Sequence, residues 1–160
     1  MARKSSNEKL RYSGDMPKIV EVTDPREIVR NGGTKLLIAP PLAYDEIMRR
    51  VPFGKVITTD AIRVYLAKQN GADSTCPLTA GIFINIAAQA SSERLEDETP
   101  YWRTLKREGE LNEKYPGGIE AQCARLEQEG HTILQKGKRF FVRNYQASVF
   151  ELGDGKGKAE

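Results

Sequence analysis

Long apolar runs are missing from this sequence of 160 residues, and their absence excludes a membrane-spanning helix. The longest runs, such as Leu36–Pro41 and Ile82–Ile86, fall far short of the roughly 20 residues that a span requires. The first 18 residues, MARKSSNEKLRYSGDMPK, are basic and polar and contain no apolar core of the kind found in a secretory signal. We therefore expect a cytoplasmic protein.

Cysteine and histidine are scarce as well, with two Cys and one His in the chain. Cys76 and Cys123 are too few for a disulfide framework, and neither has a second Cys or a His at metal-ligand spacing. His131 stands alone, so we expect reduced thiols, no metal and no cofactor. A strong charge excess is also absent. The net charge of +3 and the pI of 8.8 agree with nucleic-acid binding but do not establish it.

The residues that are present fit one globular domain with loose ends, because 39% are hydrophobic and 29% are charged. Residues 1–34 mix Ser, Asn, Gly and charges, which predicts a flexible basic N-terminal arm carrying a strand or short helix near Lys18–Val22. The domain is predicted over residues 35–152. A disordered tail, rich in Gly and Lys, is predicted over residues 153–160.

The order of local signals predicts an α+β fold that is mainly α-helical, with a winged-helix-like helix–turn–helix and a small β-hairpin. Apolar spacing, N-cap oxygens and Gly or Pro at the ends predict helices over 42–51, Thr59–Asn70, Pro77–Ala90, Ile119–Gln128 and 145–152. The second and third of these helices form the helix–turn–helix candidate. The hairpin is predicted from His131–Leu134 and Arg139–Val142, with a basic tip.

The helix that begins at Pro77 carries polar residues and a glycine. Thr79, Asn85 and Gln89 can lie on or near its exposed side, where they suit phosphate or groove contacts or are simply solvated. Gly81 costs ~1 kcal/mol relative to Ala inside a helix, which predicts close packing or a close backbone approach there. The apolar residues Ile82, Phe83, Ile86 and Ala87 are expected in the core.

Four motifs in order and spacing point to a known family. They are VPFGKVITT, PYWRT, the Gly-Glu-Leu-Asn to Tyr-Pro-Gly-Gly run, and Leu126–His131. Together they cover roughly Leu42–Ile133, and this segment resembles the DNA-binding domain of the 6-O-alkylguanine-DNA alkyltransferases. In that family a Pro-Cys-His-Arg loop carries a thiolate that takes the alkyl group from a flipped-out guanine.

In this sequence Tyr101 and Trp102 stand where the family has the reactive Cys and its His. Alkyl transfer needs a soft nucleophile whose pKa is lowered by a neighbouring base, and neither tyrosine nor tryptophan meets that need. The chain is therefore more similar to the alkyltransferase-like branch, which lacks the Cys. That resemblance implies a non-catalytic monomer that binds alkylated guanine in duplex DNA through the minor groove and hands the lesion to downstream repair proteins.

The resemblance also implies the site residues. Leu78 stands at the position of the arginine that fills the gap left by the flipped base, where it acts as an apolar wedge or packs inside the domain. The implied base pocket comprises Tyr101, Trp102, Tyr115, Pro116, Gly117, Gly118 and Glu129, and the implied DNA contacts are Thr59, Leu78, Thr79, Asn85, Gln89 and Arg103. We expect Thr59 to cap its helix or hold a phosphate, and Arg103 to tie its loop to the helix–turn–helix.

Two alternatives stay open at this point. An active methyltransferase using Cys123 or Cys76 is one, because Cys123 follows the Gly-Gly turn on a helix that could face the loop. A general DNA-binding or protein-interaction module without lesion recognition is the other. A set of basic residues would extend a phosphate-facing surface if its members share one side: Lys106, Arg107, Lys136, Lys138 and Arg139.

Overall fold

The structure is a computed structural model that describes residues 5–153. The predicted tail beyond Gly153 and the first four residues of the predicted arm lie outside this range. Within it, no helix combines the length and apolar content that a membrane span needs. The helices are α1 Ser6–Leu10, α2 Pro25–Asn31, α3 Pro41–Arg50, α4 Thr59–Gln69, α5 Pro77–Glu93 and α6 Gly118–Gln128, and the strands are β1 Lys18–Glu21, β2 Lys35–Ile38, β3 Ile57–Thr58, β4 Ser74–Thr75, β5 Thr104–Leu105, β6 Ile133–Lys136 and β7 Arg139–Val142.

Helix α1 and strand β1, which lie within the predicted arm, contact the rest of the fold. Strand β1 pairs antiparallel with β2, so that Lys18 lies opposite Ile38, and β2 in turn pairs parallel with β4. Helix α1 lies against the C-terminal end of α5, where the Glu93 carboxylate accepts hydrogen bonds from the backbone N–H groups of Ser6 and Asn7. The domain boundary after residue 34 stays a prediction, although the β1–β2 pairing crosses it.

Helices α4 and α5 form the helix–turn–helix, as the sequence predicts. The Thr58 hydroxyl caps α4 by accepting the Ala61 N–H, and Ile62 and Leu66 bury the inner face of the helix. Pro77 begins α5, since its missing N–H would be unpaired in the first turn in any case. Small buried residues on the inner face of α5 let it pack closely against α3: Ala80, Ala87, Ala88 and Ala90.

The predicted hairpin is also present. Strands β6 and β7 pair antiparallel, with Lys136 opposite Arg139 and Gly137 at a φ of 63° in the turn. The fold class is therefore α+β, mainly α, with a helix–turn–helix and a β-hairpin. The helix predicted over residues 145–152 is wrong: a single 3-10 turn covers Tyr145–Ser148, and the chain then runs extended because Phe150 and Ser148 exchange backbone hydrogen bonds with Val56.

Candidate nucleic-acid interface

The N-terminal half of α5 presents an apolar ridge to solvent. Leu78 is 71% exposed and Ile82, one turn later, is 47% exposed, so Leu78 does not pack inside the domain and Ile82 is not in the core as expected. Gly81 lies beside them, and a Cβ built on it would have no atom within 4 Å. No packing contact within the described residues therefore accounts for this glycine.

A cavity of about 300 Å³ opens next to Gly81, between α5 and the first turn of α4. Its walls combine the apolar side chains of Pro77, Ala80 and Ile84 with charged and amide side chains, which suit a ligand that carries both rings and polar edges. The lining residues are Thr59, Asp60, Arg63, Pro77, Ala80, Gly81, Ile84, Asn85, Lys106, Asn112, Glu113 and Lys114. Tyr101, Trp102 and Tyr115 are not among them.

Two of the polar residues on α5 hold the far wall of this cavity in place. The Asn112 side-chain amide donates to Asn85 Oδ1 at 3.0 Å, and the Gln89 amide donates to the Lys114 carbonyl at 3.1 Å. Thr79 lies nearly two turns before Asn85 on the same helix, and its hydroxyl is 3.5 Å from the Cys76 carbonyl. Asn85 and Gln89 therefore fix the loop that carries Asn112 and Lys114 against the helix.

Trp102 is buried behind the loop that carries Tyr101 and Arg103. It is 4% exposed, its Nε1 donates to Glu129 Oε2 at 2.9 Å, and the Arg125 guanidinium lies over its ring at 3.7 Å from the centroid. Tyr101 meets the indole edge-on, with a centroid distance of 5.4 Å. The indole is thus enclosed by a carboxylate, a cation and an aromatic edge, and no part of it is available as a base or a nucleophile.

The two tyrosines continue the same aromatic cluster. Tyr101 and Tyr115 pack edge-to-face at 5.3 Å, and the buried Tyr115 hydroxyl donates to the Thr104 carbonyl at 2.9 Å. Burial raises the pKa of Tyr115 and, to a smaller extent, that of Tyr101. A smaller fraction of the Tyr101 phenol is therefore ionised at neutral pH than in a free tyrosine.

The turn after Tyr115 serves the start of α6. Gly117 has a φ of 82°, and a Cβ there would come within 2.5 Å of the Ala121 Cβ, so no other residue fits without a shift. Gly118 also has a positive φ, of 73°, and Pro116 is half-buried beside them. These three residues have a structural reason for being present, and their part in a base pocket stays a prediction.

Glu129 and Arg103 form an ion pair at the base of the loop. Arg103 Nη2 donates to Glu129 Oε2 at 2.8 Å, and its Nη1 donates to the Val51 carbonyl at 2.8 Å. Burial pushes the pKa of Glu129 up, but hydrogen bonds from Arg103, the Gly54 N–H and Trp102 outweigh it, so the net shift is downward. Arg103 therefore ties this loop to the end of α3 and the end of α6. The expected contact with the helix–turn–helix formed by α4 and α5 is wrong.

Neither cysteine lies in the loop that carries Tyr101 and Trp102. Cys123 packs beside the cluster that contains Trp102 and Leu126, and burial together with the neighbouring Glu127 raises its pKa, which lowers the thiolate fraction. Cys76 is the residue before α5 and is half-buried. Across residues 5–153, no group of three or more His, Cys, Asp or Glu side chains is arranged to hold a metal ion.

Several residues of the cavity wall were not predicted from the sequence. Asp60 and Arg63 share one side of α4 with Thr59, and Asn112 to Lys114 lie directly before the Tyr115 turn. Helical spacing from Thr59 and proximity to a motif of the family were the signals that could have identified them. Lys106 was predicted, as part of a basic surface.

Comparison with known proteins gave structural similarity alone. No family model and no curated protein matches the chain. Two solved structures are similar. One is the crystal structure of S. pombe Atl1 in complex with damaged DNA containing O6-carboxymethylguanine, at 23% identity and a TM-score of 0.49, covering 69% of this chain and 94% of that one. The other is S. pombe ATL in complex with DNA, at 20% identity and a TM-score of 0.48, with the same coverage.

Proposed function

We propose that this protein is a non-catalytic, monomeric reader of alkylated guanine in duplex DNA, working with downstream repair proteins. The observation that carries the proposal is the exposed ridge of Leu78 and Ile82 on α5, directly beside a polar cavity, in a chain whose reactive position is a tyrosine. The motif order of the alkyltransferase family supports the same reading of the chain.

The ridge supports a minor-groove approach. Exposed apolar side chains on a helix act as wedges at minor-groove kinks, where they partly unstack a base step. Gly81 beside the ridge allows the backbone of α5 to come close to a DNA strand. The cavity next to it carries Arg63, Lys106 and Lys114, which suit the flanking phosphates.

The cavity supports recognition of a base. Its volume of about 300 Å³ lies at the small end of ligand sites, and Thr59 and Asn85 offer a hydroxyl group and an amide N–H to a base edge. An extrahelical alkylguanine would then enter beside α5. This entry differs from the pocket implied by the resemblance, whose Trp102 and Tyr115 are buried.

Non-catalytic action is supported by the chemistry of the loop. Tyr101 has a raised pKa, and Trp102 has no basic nitrogen with which to accept its proton. Cys123, the alternative nucleophile, also has a raised pKa. Incubation with a benzylguanine probe followed by intact mass spectrometry tests this part, and a covalent adduct on either cysteine would establish a transferase instead.

A second candidate function is duplex-DNA binding without lesion recognition. The observation that favours it is the packing of Trp102, which closes the space behind the loop. Fluorescence anisotropy with matched duplexes containing O6-alkylguanine or guanine separates the two functions. Tighter binding to the alkylated duplex supports the reader, equal affinity supports the general DNA-binding module, and no salt-dependent binding to either duplex contradicts both.

A further inference from the structure

The β6–β7 hairpin and the turn after it carry positive charge only. From His131 to Ser148 the chain has four cationic residues, Lys136, Lys138, Arg139 and Arg143, and no Asp or Glu. All four are exposed. Among residues 5–153 neither Lys138 nor Arg143 takes part in an ion pair, so their charges are free for an external anion.

A cleft of about 430 Å³ lies along this hairpin. Two of its cationic side chains contact the ring of Phe141. Lys136 Nζ lies 5.5 Å and Arg139 Cζ lies 5.0 Å from the centroid of the Phe141 ring. The contact with one ring restrains both side chains before any ligand arrives, which reduces the entropy lost on binding. The cleft is lined by Glu108, Leu134, Lys136, Arg139, Phe141, Val142, Arg143, Asn144, Tyr145 and Gln146.

The hairpin cleft is joined to the cavity beside α5 through one carboxylate. Glu110 accepts from Arg139 Nη2 at 2.9 Å and lies 4.0 Å from Lys106 Nζ. Lys106 lines the cavity beside α5, and Arg139 lines the hairpin cleft. The exposed Arg107 directly follows Lys106, and its Nε lies 3.7 Å from Asp60. Lys106 and Arg139 therefore lie on either side of one carboxylate, so the cavity and the hairpin cleft adjoin at Glu110.

We propose that the hairpin cleft is a second DNA-binding surface, which holds the phosphate backbone of the duplex flanking the site read by α5. The inference rests on the proposed duplex-DNA binding and extends it from one helix to the hairpin. Lys136, Arg139 and Arg143 line the cleft together with one carboxylate, Glu108, and Lys138 lies at the tip of the same hairpin. This excess of positive charge matches the regular negative charge of a phosphate backbone, and contacts of this kind are independent of base sequence. The hairpin therefore contributes the same amount to the binding of alkylated and of unmodified duplexes.

A charge-neutralised variant tests the surface. Lys136→Gln, Lys138→Gln and Arg143→Gln are combined, and the matched control combines Lys9→Gln, Arg26→Gln and Arg30→Gln on α1 and α2, which loses the same net charge elsewhere. Anisotropy titrations use an unmodified duplex about two helical turns long, at several NaCl concentrations between about 50 and 200 mM. We expect the hairpin variant to bind about 10-fold more weakly and to lower the salt slope by about 2 to 3.

The control separates this inference from the proposed function. If both triple variants lose affinity equally, or if neither does, the hairpin holds no phosphates and the inference is overturned, while wild-type binding to the duplex still supports the proposed function. If the wild-type protein binds no duplex, both proposals are overturned together. A different pair of results would assign the cleft to a protein partner and overturn the inference. In that case the hairpin binds an acidic peptide, and the triple hairpin variant binds DNA as tightly as the wild type.

Removal of the Glu110 carboxylate is expected to raise the affinity for DNA, whereas neutralisation of the cations lowers it. Glu110→Gln keeps the size of the side chain but leaves Lys106 and Arg139 without their shared counter-charge. We expect this variant to bind the same duplex about 3-fold more tightly or better, with a steeper salt slope. Unchanged or weaker binding by a folded Glu110→Gln variant would contradict the continuous surface.

Discussion

Trp102 donates its Nε1–H to Glu129 Oε2 at 2.9 Å, so the indole of the loop is bonded to the carboxylate at the end of α6. This bond carries no base chemistry on the tryptophan side, because an indole nitrogen donates a hydrogen bond and does not accept a proton. The bond instead fixes the loop against α6, and it makes Trp102 a packing residue whose loss is measurable.

Truncation of Trp102 is expected to destabilise the protein strongly. Trp102→Ala leaves a cavity under Arg125 and Tyr101 and should lower the free energy of unfolding by about 3–5 kcal/mol. Trp102→Phe keeps a ring but removes the donor to Glu129, for a loss of about 1–3 kcal/mol. Urea unfolding followed by circular dichroism measures both. The control is Leu95→Ala at a fully exposed position, and a Trp102→Ala variant as stable as this control would contradict the enclosed packing.

Truncation of the ridge is expected to weaken DNA binding without affecting stability. Leu78→Ala removes an exposed wedge, so the free energy of unfolding should change by less than about 0.5 kcal/mol while duplex affinity falls. Val64→Ala on α4 is the matched control, since Val64 is 55% exposed and lies away from the cavity beside α5. Equal affinities of the two variants in anisotropy titrations would show that Leu78 does not touch DNA.

Substitution of Gly81 by alanine is expected to raise the stability of the fold and to lower the affinity for DNA. Gly81 is helical and has open space at its Cβ position, so Gly81→Ala should stabilise the fold by about 0.5–1 kcal/mol. The added methyl group points toward the proposed ligand side, and we expect it to weaken duplex binding. Thermal unfolding and anisotropy measure the two effects. A variant that is more stable and binds DNA as well as the wild type would exclude a close backbone approach.

Glu129 gives an expectation for acid stability. Its folded-state pKa lies below the ordinary value of 4.5, so between these two pKa values the unfolded chain binds more protons than the folded one. The stability that the carboxylate contributes is present above pH 4.5 and is lost as the pH falls through the folded pKa. Glu129→Gln should therefore flatten the fall in unfolding free energy below pH 4.5, whereas Glu120→Gln, exposed on α6, should leave it steep.

Much of the helical fold could be predicted from local signals. The Thr58 cap and Pro77 mark the starts of α4 and α5, and the structure places those starts where the sequence predicts them. The helix predicted over residues 145–152 is wrong because Ser148 and Phe150 form backbone hydrogen bonds with Val56, which is distant in sequence. Periodicity within a segment carries no information about such a partner.

The sequence by itself determined the absence of the Cys and His from the reactive loop, because residue identity alone limits what chemistry Tyr101 and Trp102 can perform. It also determined the positive charge of the hairpin. Only the tertiary structure decided that Trp102 is enclosed, that Ile82 is exposed and that Lys106 and Arg139 share Glu110. These facts depend on which elements pack together, and packing is set by contacts between residues far apart in the chain.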